Sequence, residues 1–153
     1  DIDWGDYPYV TSSHCTVGGA ILNGVPPKAI RDVWGVSKAY ETYVGAKDFQ
    51  GLDPELELIR ELGDEYGATT GRPRQTNWLD LDMLEKAINI NGVTKLVMNK
   101  IDVLEELQHW KLYEGINAME FSRGDFMLDY VKSFFLKINP DIEVLFSGNK
   151  EAI

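Results

Sequence analysis

Val93-Thr94-Lys95-Leu96-Val97-Met98-Asn99 is a short, mostly apolar run with turn signals on either side, Asn91-Gly92 being the first of them. A strand points successive side chains to opposite faces, so consecutive apolar residues predict a strand buried on both. A buried strand needs layers to cover it, and its flanks supply them. An N-cap at Asp80 or Asp82 opens a helix that carries Leu84, Ala87 and Ile88 and stops at Asn91-Gly92. Val103 to His109 reads as a second, shorter helix after the strand.

The same alternation extends along the chain. Asp53-Pro54 pairs a capping residue with proline at the first helical position, and Leu58, Leu62 and Tyr66 follow at four-residue steps. Pro26-Pro27 stands where another helix would start, with Ile30, Val33, Trp34 and Ser37 at helical spacing and an end near Tyr43. Residues 110–121 are read as one strand. Phe126, Tyr130, Val131, Phe134, Phe135 and Ile138 make the apolar face of a helix that Asn139-Pro140 ends. Ile142 to Phe146 is a last strand before the turn Ser147-Gly148-Asn149. Strands alternating with helices predict an α/β layer structure. No internal repeat or low-complexity tract divides it.

With 153 residues, 44% of them hydrophobic, the chain is long enough for one domain with a core. Its formal net charge of -10 argues against a nucleic-acid surface, so a small anion would need a local cationic pocket. The single cysteine, Cys15, allows no intrachain disulfide. No apolar run reaches the length of a membrane span. Asp1-Ile2-Asp3-Trp4-Gly5 reads like the end of a strand entering a loop, the expectation being that the chain is a piece of something longer.

Gly67-Ala68-Thr69-Thr70-Gly71-Arg72-Pro73-Arg74-Gln75-Thr76 reads as an anion-binding loop. Glycines permit tight backbone, threonine hydroxyls add donors, and planar guanidinium forks suit carboxylate or phosphate. The competing reading is a polar surface loop whose arginines pair with nearby acids. Asn99-Lys100-Ile101-Asp102 at a strand's C-terminal end suits guanine, because an aspartate can accept from both the N1–H and the exocyclic amine. Against that, Asp102 followed by Glu105 is close to a helix capping box. Phe146-Ser147-Gly148 is either an ordinary strand exit or the other wall of a base pocket. Within the Gly/Ser/Thr/Tyr/Asp-rich residues 1–25, Tyr7-Pro8-Tyr9-Val10-Thr11-Ser12-Ser13 is either a hydroxyl-rich turn or a phosphate site. His14 and Cys15, as sequence neighbours, have diverging side chains and offer no metal-ligand spacing. His109 reads as a helix-end or packing residue, and the aromatic stripe 126–135 as core.

Taken in order, these motifs resemble adenylosuccinate synthetase over nearly the whole chain, matching the C-terminal half of that family. The resemblance rests on Asp1-Ile2-Asp3, Tyr7 to Ser13, Lys38-Ala39-Tyr40, Val44-Gly45-Ala46, Glu65-Tyr66-Gly67-Ala68-Thr69-Thr70-Gly71-Arg72, Trp78-Leu79-Asp80 and Lys100-Ile101-Asp102-Val103-Leu104. It implies the C-terminal part of a P-loop-NTPase-like adenylosuccinate synthetase fold, a mixed sheet flanked by helices. It implies a purine-biosynthetic ligase that joins IMP and L-aspartate at the expense of GTP, with Mg²⁺. GTP phosphorylates the 6-oxygen of IMP, and the aspartate amine displaces phosphate to give adenylosuccinate and GDP. Carried over motif by motif, Thr11, Val44 and Arg72 are expected at IMP. Ala68, Thr69, Thr70, Gly71, Arg72 and Arg74 are expected at aspartate. Arg74, Lys100, Ile101, Asp102, Phe146, Ser147 and Gly148 are expected at GTP. The resemblance further implies a cytoplasmic homodimer, with no nucleic acid or membrane as partner.

This sequence departs from the family pattern in places. Pro73 and Gln75 stand where arginines are common, Tyr43 where an arginine usually precedes Val44, and His14 where asparagine is usual. Phe146-Ser147-Gly148 differs from the commoner Ser-Thr-Gly, and the segment from Val103 to the final helix is shorter than in most bacterial and eukaryotic members, resembling the compact archaeal and some viral forms. The family's Gly-Asp-Glu-Gly-Lys-Gly loop, with its catalytic aspartate and Mg²⁺ ligand, is not in this sequence, and neither histidine matches the family's general acid. Catalytic and metal-binding residues are therefore expected in an N-terminal half, and no turnover from this chain alone. Two other functions fit the same residues: a guanine-nucleotide-binding module without ligase chemistry, and a viral branch that uses a guanine nucleotide in place of IMP. A structural or interaction domain without a ligand is a further reading.

Overall fold

The computed structural model describes residues 4–148, so the strand end read at Asp1-Ile2-Asp3 and the Asn149 end of the last turn lie outside the described residues. The apolar run of residues 93–99 is a central strand, β4 (Lys95–Asn99), in which Leu96, Val97 and Met98 are all buried. It is flanked in parallel by β1 (Trp34–Lys38) and β7 (Glu143–Phe146), with Leu96 opposite Gly35 on one side and Val144 on the other. The second sheet is mixed. Its order is β2 (Tyr40–Tyr43), β3 (Gln75–Asp80), β5 (Trp110–Glu114) and β6 (Asn117–Phe121), with β3 and β5 parallel and both outer pairs antiparallel. Ala39, fully buried, joins β1 to β2 and donates its N–H to the Asn99 carbonyl at 2.9 Å. One residue thus carries the chain from one sheet to the other.

Five helices, α1 (Gly18–Leu22), α2 (Glu55–Leu62), α3 (Leu81–Asn91), α4 (Ile101–Leu107) and α5 (Gly124–Ile138), complete the described elements. Helix α2 packs on β3 and α4, α3 on β5, and α5 across β5, β6 and β7. A single core cluster joins the layers, with Tyr40, Leu56, Ile59, Trp78, Leu96, Leu104, Leu112 and Phe135 essentially inaccessible. The α/β expectation and the mixed sheet flanked by helices are both met. No helix among the described residues is long and apolar enough to cross a membrane.

Local chemistry explains the boundaries. The Asp80 carboxylate accepts from the Asp82 and Met83 N–H groups at 3.0 and 3.1 Å, and Gly92 ends α3 at φ +60°. Asp53 Oδ1 accepts from the Glu55 N–H at 3.2 Å, while its other oxygen takes bonds from Trp78 Nε1 and Lys111 Nζ, each at 3.0 Å. Burial opposes the charge on Asp53, but those donors outweigh it and hold the carboxyl below its usual range.

Five sequence expectations need correction. The helix expected from Pro26-Pro27 to Tyr43 is a single 3-10 turn, Pro27–Ala29, followed by β1 and β2. Four-residue spacing misled there, because tertiary pairing with β4 decides the matter, and a Cβ on Gly35 would meet Val93 Cγ1 at 3.0 Å. Helix α2 stops at Leu62 rather than near Tyr66: Asp64 has φ +50°, and a Cβ on Gly63 would sit 2.3 Å from the Tyr40 hydroxyl. Residues 110–121 form two strands, turned at Gly115 with φ +59°. The short helix after β4 runs Ile101–Leu107 rather than Val103 to His109, with Gln108 left-handed beyond it. Strand β3 lies partly inside the stretch read as a loop.

Glu41 on β2 is half-buried and accepts the Asp80 backbone N–H at 3.4 Å. Burial pushes its carboxyl up to about 7; the Asp80 N–H works against this and the Asp80 charge adds to it. A carboxyl raised on folding stabilises the fold fully below its unfolded value near 4.5, and that contribution is lost as pH rises through about 7. Glu41→Gln is expected to gain on the order of 1–3 kcal/mol over wild type at pH 8 and little at pH 4.5. Urea unfolding at the two pH values checks this; an equal difference at both would show that the carboxyl is not raised.

Candidate functional site

The C-terminal end of α2 is the junction on which the sequence-predicted residues are built. The Gly63 carbonyl accepts from Lys100 Nζ at 2.9 Å, which ties the start of α4 to the end of α2. Two residues on, the Glu65 carboxylate is 1% exposed and takes three donors: Lys38 Nζ at 2.5 Å, the Tyr40 hydroxyl at 2.7 Å and Arg74 Nη1 at 2.7 Å. Burial alone would raise this carboxyl, but the three bonded donors together prevail and hold it below the usual range. Burial, then the bond to Glu65, pushes the Tyr40 phenol well above its ordinary value.

The glycine-rich stretch leaves Glu65 as a closed loop. Arg74 N–H bonds the Glu65 carbonyl at 3.0 Å, Gly67 N–H the Arg72 carbonyl at 2.9 Å, and Gly71 N–H the Gly67 carbonyl at 2.7 Å. Gly71 takes φ +64°, a conformation that glycine adopts without penalty. Ala68, Thr69, Thr70, Gly71 and Arg72 are exposed at its tip. Arg72 Nη2 reaches the Gly45 carbonyl at 3.4 Å, so the structure brings Arg72 together with Val44-Gly45. Tyr43 packs beside Phe49 and over Gly45, where a Cβ would lie 2.2 Å from its hydroxyl.

The loop read from Gly67 to Thr76 is shorter in the structure, because Gln75 and Thr76 belong to β3. Thr76 is buried and donates to the Leu56 carbonyl at 2.7 Å, while Gln75 Oε1 holds the Phe49 and Gln50 N–H groups. Thr11 lies on the exposed opening segment, where it shares a 2.9 Å hydrogen bond with Ser13.

The strand-end motifs meet across one cavity. Asp102, Ile101, Phe146, Ser147 and Gly148 line a space of about 640 Å³, with Leu62 and Leu128 behind and Glu105 and Glu106 on α4. A Cβ on Gly148 would touch Asp102 Cβ at 3.7 Å, so the segments that follow β4 and β7 are neighbours. Asp102 is not a cap. Lys100, left-handed at φ +62°, holds the N-cap position, and Asp102 sits inside the first turn of α4. Asn99 Oδ1 and Asp102 Oδ1 are both buried without a hydrogen-bond partner. Buried acceptors are ordinarily satisfied, so an orphan on Asp102, a residue of the cavity wall, points to a donor brought by a ligand.

Sequence reasoning missed the central carboxylate. Glu65 is one acid among 25 Asp and Glu residues, and nothing in its spacing signals burial. Lys38, Tyr40 and Glu65 stood in the quoted motifs without roles. Arg60, whose Nε donates to the Arg74 carbonyl at 2.6 Å, was unmarked. Among the described residues no group of three or more His, Cys, Asp or Glu could hold a metal ion.

Comparison with known proteins gives the site a context. The adenylosuccinate synthetase family profile matches residues 1–126. Adenylosuccinate synthetase of Caldicellulosiruptor saccharolyticus is 49% identical over 118 residues, which is 75% of this chain and 28% of that protein. That of Syntrophomonas wolfei is 42% identical over 151 residues, 90% of this chain and 34% of that protein. This chain therefore spans about a third or less of the length of these relatives. The fully ligated adenylosuccinate synthetase structure from Plasmodium falciparum superposes with a TM-score of 0.75 at 31% identity, covering 95% of this chain and 44% of that one. Cyanophage S-2L succinoaminodeoxyadenylate synthetase, solved with dGMP and dATP, has a TM-score of 0.50 at 20% identity over 86% of this chain and 45% of that one, a likeness of fold alone. With its ordered motifs, its mixed sheet and a profile match over most of its length, this chain belongs to the adenylosuccinate synthetase family.

Proposed function

We propose that this chain forms the C-terminal portion of an enzyme that ligates IMP and L-aspartate to adenylosuccinate with GTP, and that it carries the guanine pocket and the aspartate loop. The observation that carries the reading is the orphaned Oδ1 of Asp102, a residue that lines the cavity together with Phe146, Ser147 and Gly148. Guanine presents an N1–H and an exocyclic amine on one edge, which matches a carboxylate acceptor; adenine presents no such pair. Lys100 and Ile101 complete the wall, the lysine stem packing beside the base while its ammonium is held at Gly63. Arg74, partly exposed and fixed from behind, faces the nucleotide. Ala68, Thr69, Thr70, Gly71 and Arg72 at the loop tip hold aspartate, with Arg74 at its base. Thr11, Val44 and Arg72 serve IMP, a reading supported by the Arg72–Gly45 contact. Orientation of the aspartate amine by bidentate arginine bonds would supply much of the rate. Family likeness brings Mg²⁺, a homodimer and the cytoplasm into the same proposal.

Calorimetric titration with GDP and ADP tests the pocket. Wild type is expected to prefer GDP by about ten- to a hundredfold, the worth of hydrogen bonds to a charged acceptor. Asp102→Asn is expected to bring the two affinities together; a preference that survives it would remove Asp102 from base reading.

Stability gives an independent check. An N-cap replaced by alanine costs about 1 kcal/mol, whereas removing an unsatisfied buried oxygen costs nothing. Asp102→Ala is therefore expected to leave the urea midpoint unchanged or raised. A loss of about 1 kcal/mol would show that Asp102 serves the helix after all.

A further inference from the structure

We propose that Glu65 is a positioning residue for the nucleotide phosphates: its buried carboxylate fixes Arg74, with Lys38 beside it, at the phosphate end of the guanine site. This rests on the nucleotide reading above and adds to it a residue with no direct ligand role. Glu65 is 1% exposed, yet its two cationic partners are not sealed in with it: the Lys38 and Arg74 side chains are 24% and 33% exposed. The buried member is therefore the anchor and the exposed members are what it presents. Each oxygen has its own task. Oε1 takes Lys38 and the Tyr40 hydroxyl, while Oε2 takes Arg74 Nη1 at 2.7 Å. The backbone is locked to the same register, because the Arg74 N–H bonds the Glu65 carbonyl at 3.0 Å and the Arg74 carbonyl accepts from Arg60 Nε at 2.6 Å. Held by one nitrogen and by both backbone groups, the Arg74 side chain has little rotational freedom left to lose when it meets an anion. A planar fork oriented in advance binds an anion better than a mobile one of equal charge.

The alternative, that Glu65 acts only through its charge, makes the opposite prediction. A carboxylate beside Lys38 and Arg74 weakens their attraction for phosphate, so neutralising it would strengthen phosphate binding if charge alone mattered. Glu65→Gln keeps the shape and an acceptor for the Tyr40 hydroxyl, and it leaves two cations that water can solvate.

The experiment titrates the chain, Glu65→Gln, Arg74→Ala and the double variant with guanosine and with GTP. Guanosine affinity is expected within about twofold of wild type in every variant, because the base wall is untouched. The advantage of GTP over guanosine is expected to fall about tenfold in Glu65→Gln, nearly as far as in Arg74→Ala, with no further loss in the double variant. An advantage that is unchanged or larger in Glu65→Gln overturns the proposal in favour of charge alone. Guanosine and GTP weakened in step overturn it in favour of a structural role. Ligand-free ¹⁵N spectra give a readout that does not depend on nucleotide: Arg74 Nη signals separate in wild type and averaged in Glu65→Gln are expected, and an averaged signal in wild type overturns the proposal. Failure of the base reading shows elsewhere, as a GDP preference that Asp102→Asn does not change.

Discussion

Taking a carboxylate out of water costs several kcal/mol unless donors replace the hydration it loses. Glu65 meets that cost with three donors drawn from three parts of the chain: Lys38 at the end of β1, Tyr40 at the start of β2 and Arg74 at the foot of the loop. Those partners are available only if β1 turns into β2 at Ala39, if α2 stops at Gly63, and if the loop closes back on Glu65. Gly63 has room for no side chain because the Tyr40 hydroxyl occupies the space a Cβ would take. The end of a helix, the join between two sheets and the base of the loop thus meet at one buried charge. Removing a single partner would leave part of that charge uncompensated, which is how such a cluster enforces one arrangement over its neighbours.

The cavity wall follows the opposite rule. Lys100 holds a left-handed backbone that costs a non-glycine residue about 1–2 kcal/mol, and Asn99 and Asp102 each keep an oxygen buried without a donor. None of this helps the chain fold. The Lys100 ammonium on the Gly63 carbonyl offsets some of the cost and links this wall to the helix end that carries Glu65. A site that leaves acceptors unpaired in its resting state has something to gain when donors arrive, and a packed apolar replacement would not.

Legibility in the sequence followed the range of the interactions. The buried strand at Leu96–Met98, the Gly92 stop of α3, its cap at Asp80 (one of the two candidates), and the Val131 and Phe135 core of α5 are set by local chemistry and legible in the sequence, whereas Phe126 and Ile138 at the ends of α5 are exposed. Strand β1 was mistaken for a helix because its identity comes from pairing with β4, sixty residues on, and not from its own spacing. Thr76 and Gln75 look polar enough for a ligand loop, yet Thr76 is buried on the Leu56 carbonyl and Gln75 ties down residues 47–50. The pocket motifs were visible because their residue types are unusual at strand ends. Glu65 was not, since burial is a property of what packs around a residue.

Asp102 shows why motif and local rule have to be weighed against geometry. Asp102 and Glu105 satisfy the spacing of a capping box, and from the sequence that reading competed well with base recognition. The helix instead begins two residues earlier, from a left-handed Lys100, which places Asp102 within the first turn and leaves its Oδ1 buried. A cap needs its side chain outside the helix, in reach of the N–H groups two and three residues on. Moving the helix start by two residues therefore denies Asp102 the capping role and leaves it in the wall of the cavity. The left-handed residue at position 100 is what sets that choice, so the strain in the backbone and the chemistry of the pocket have one origin.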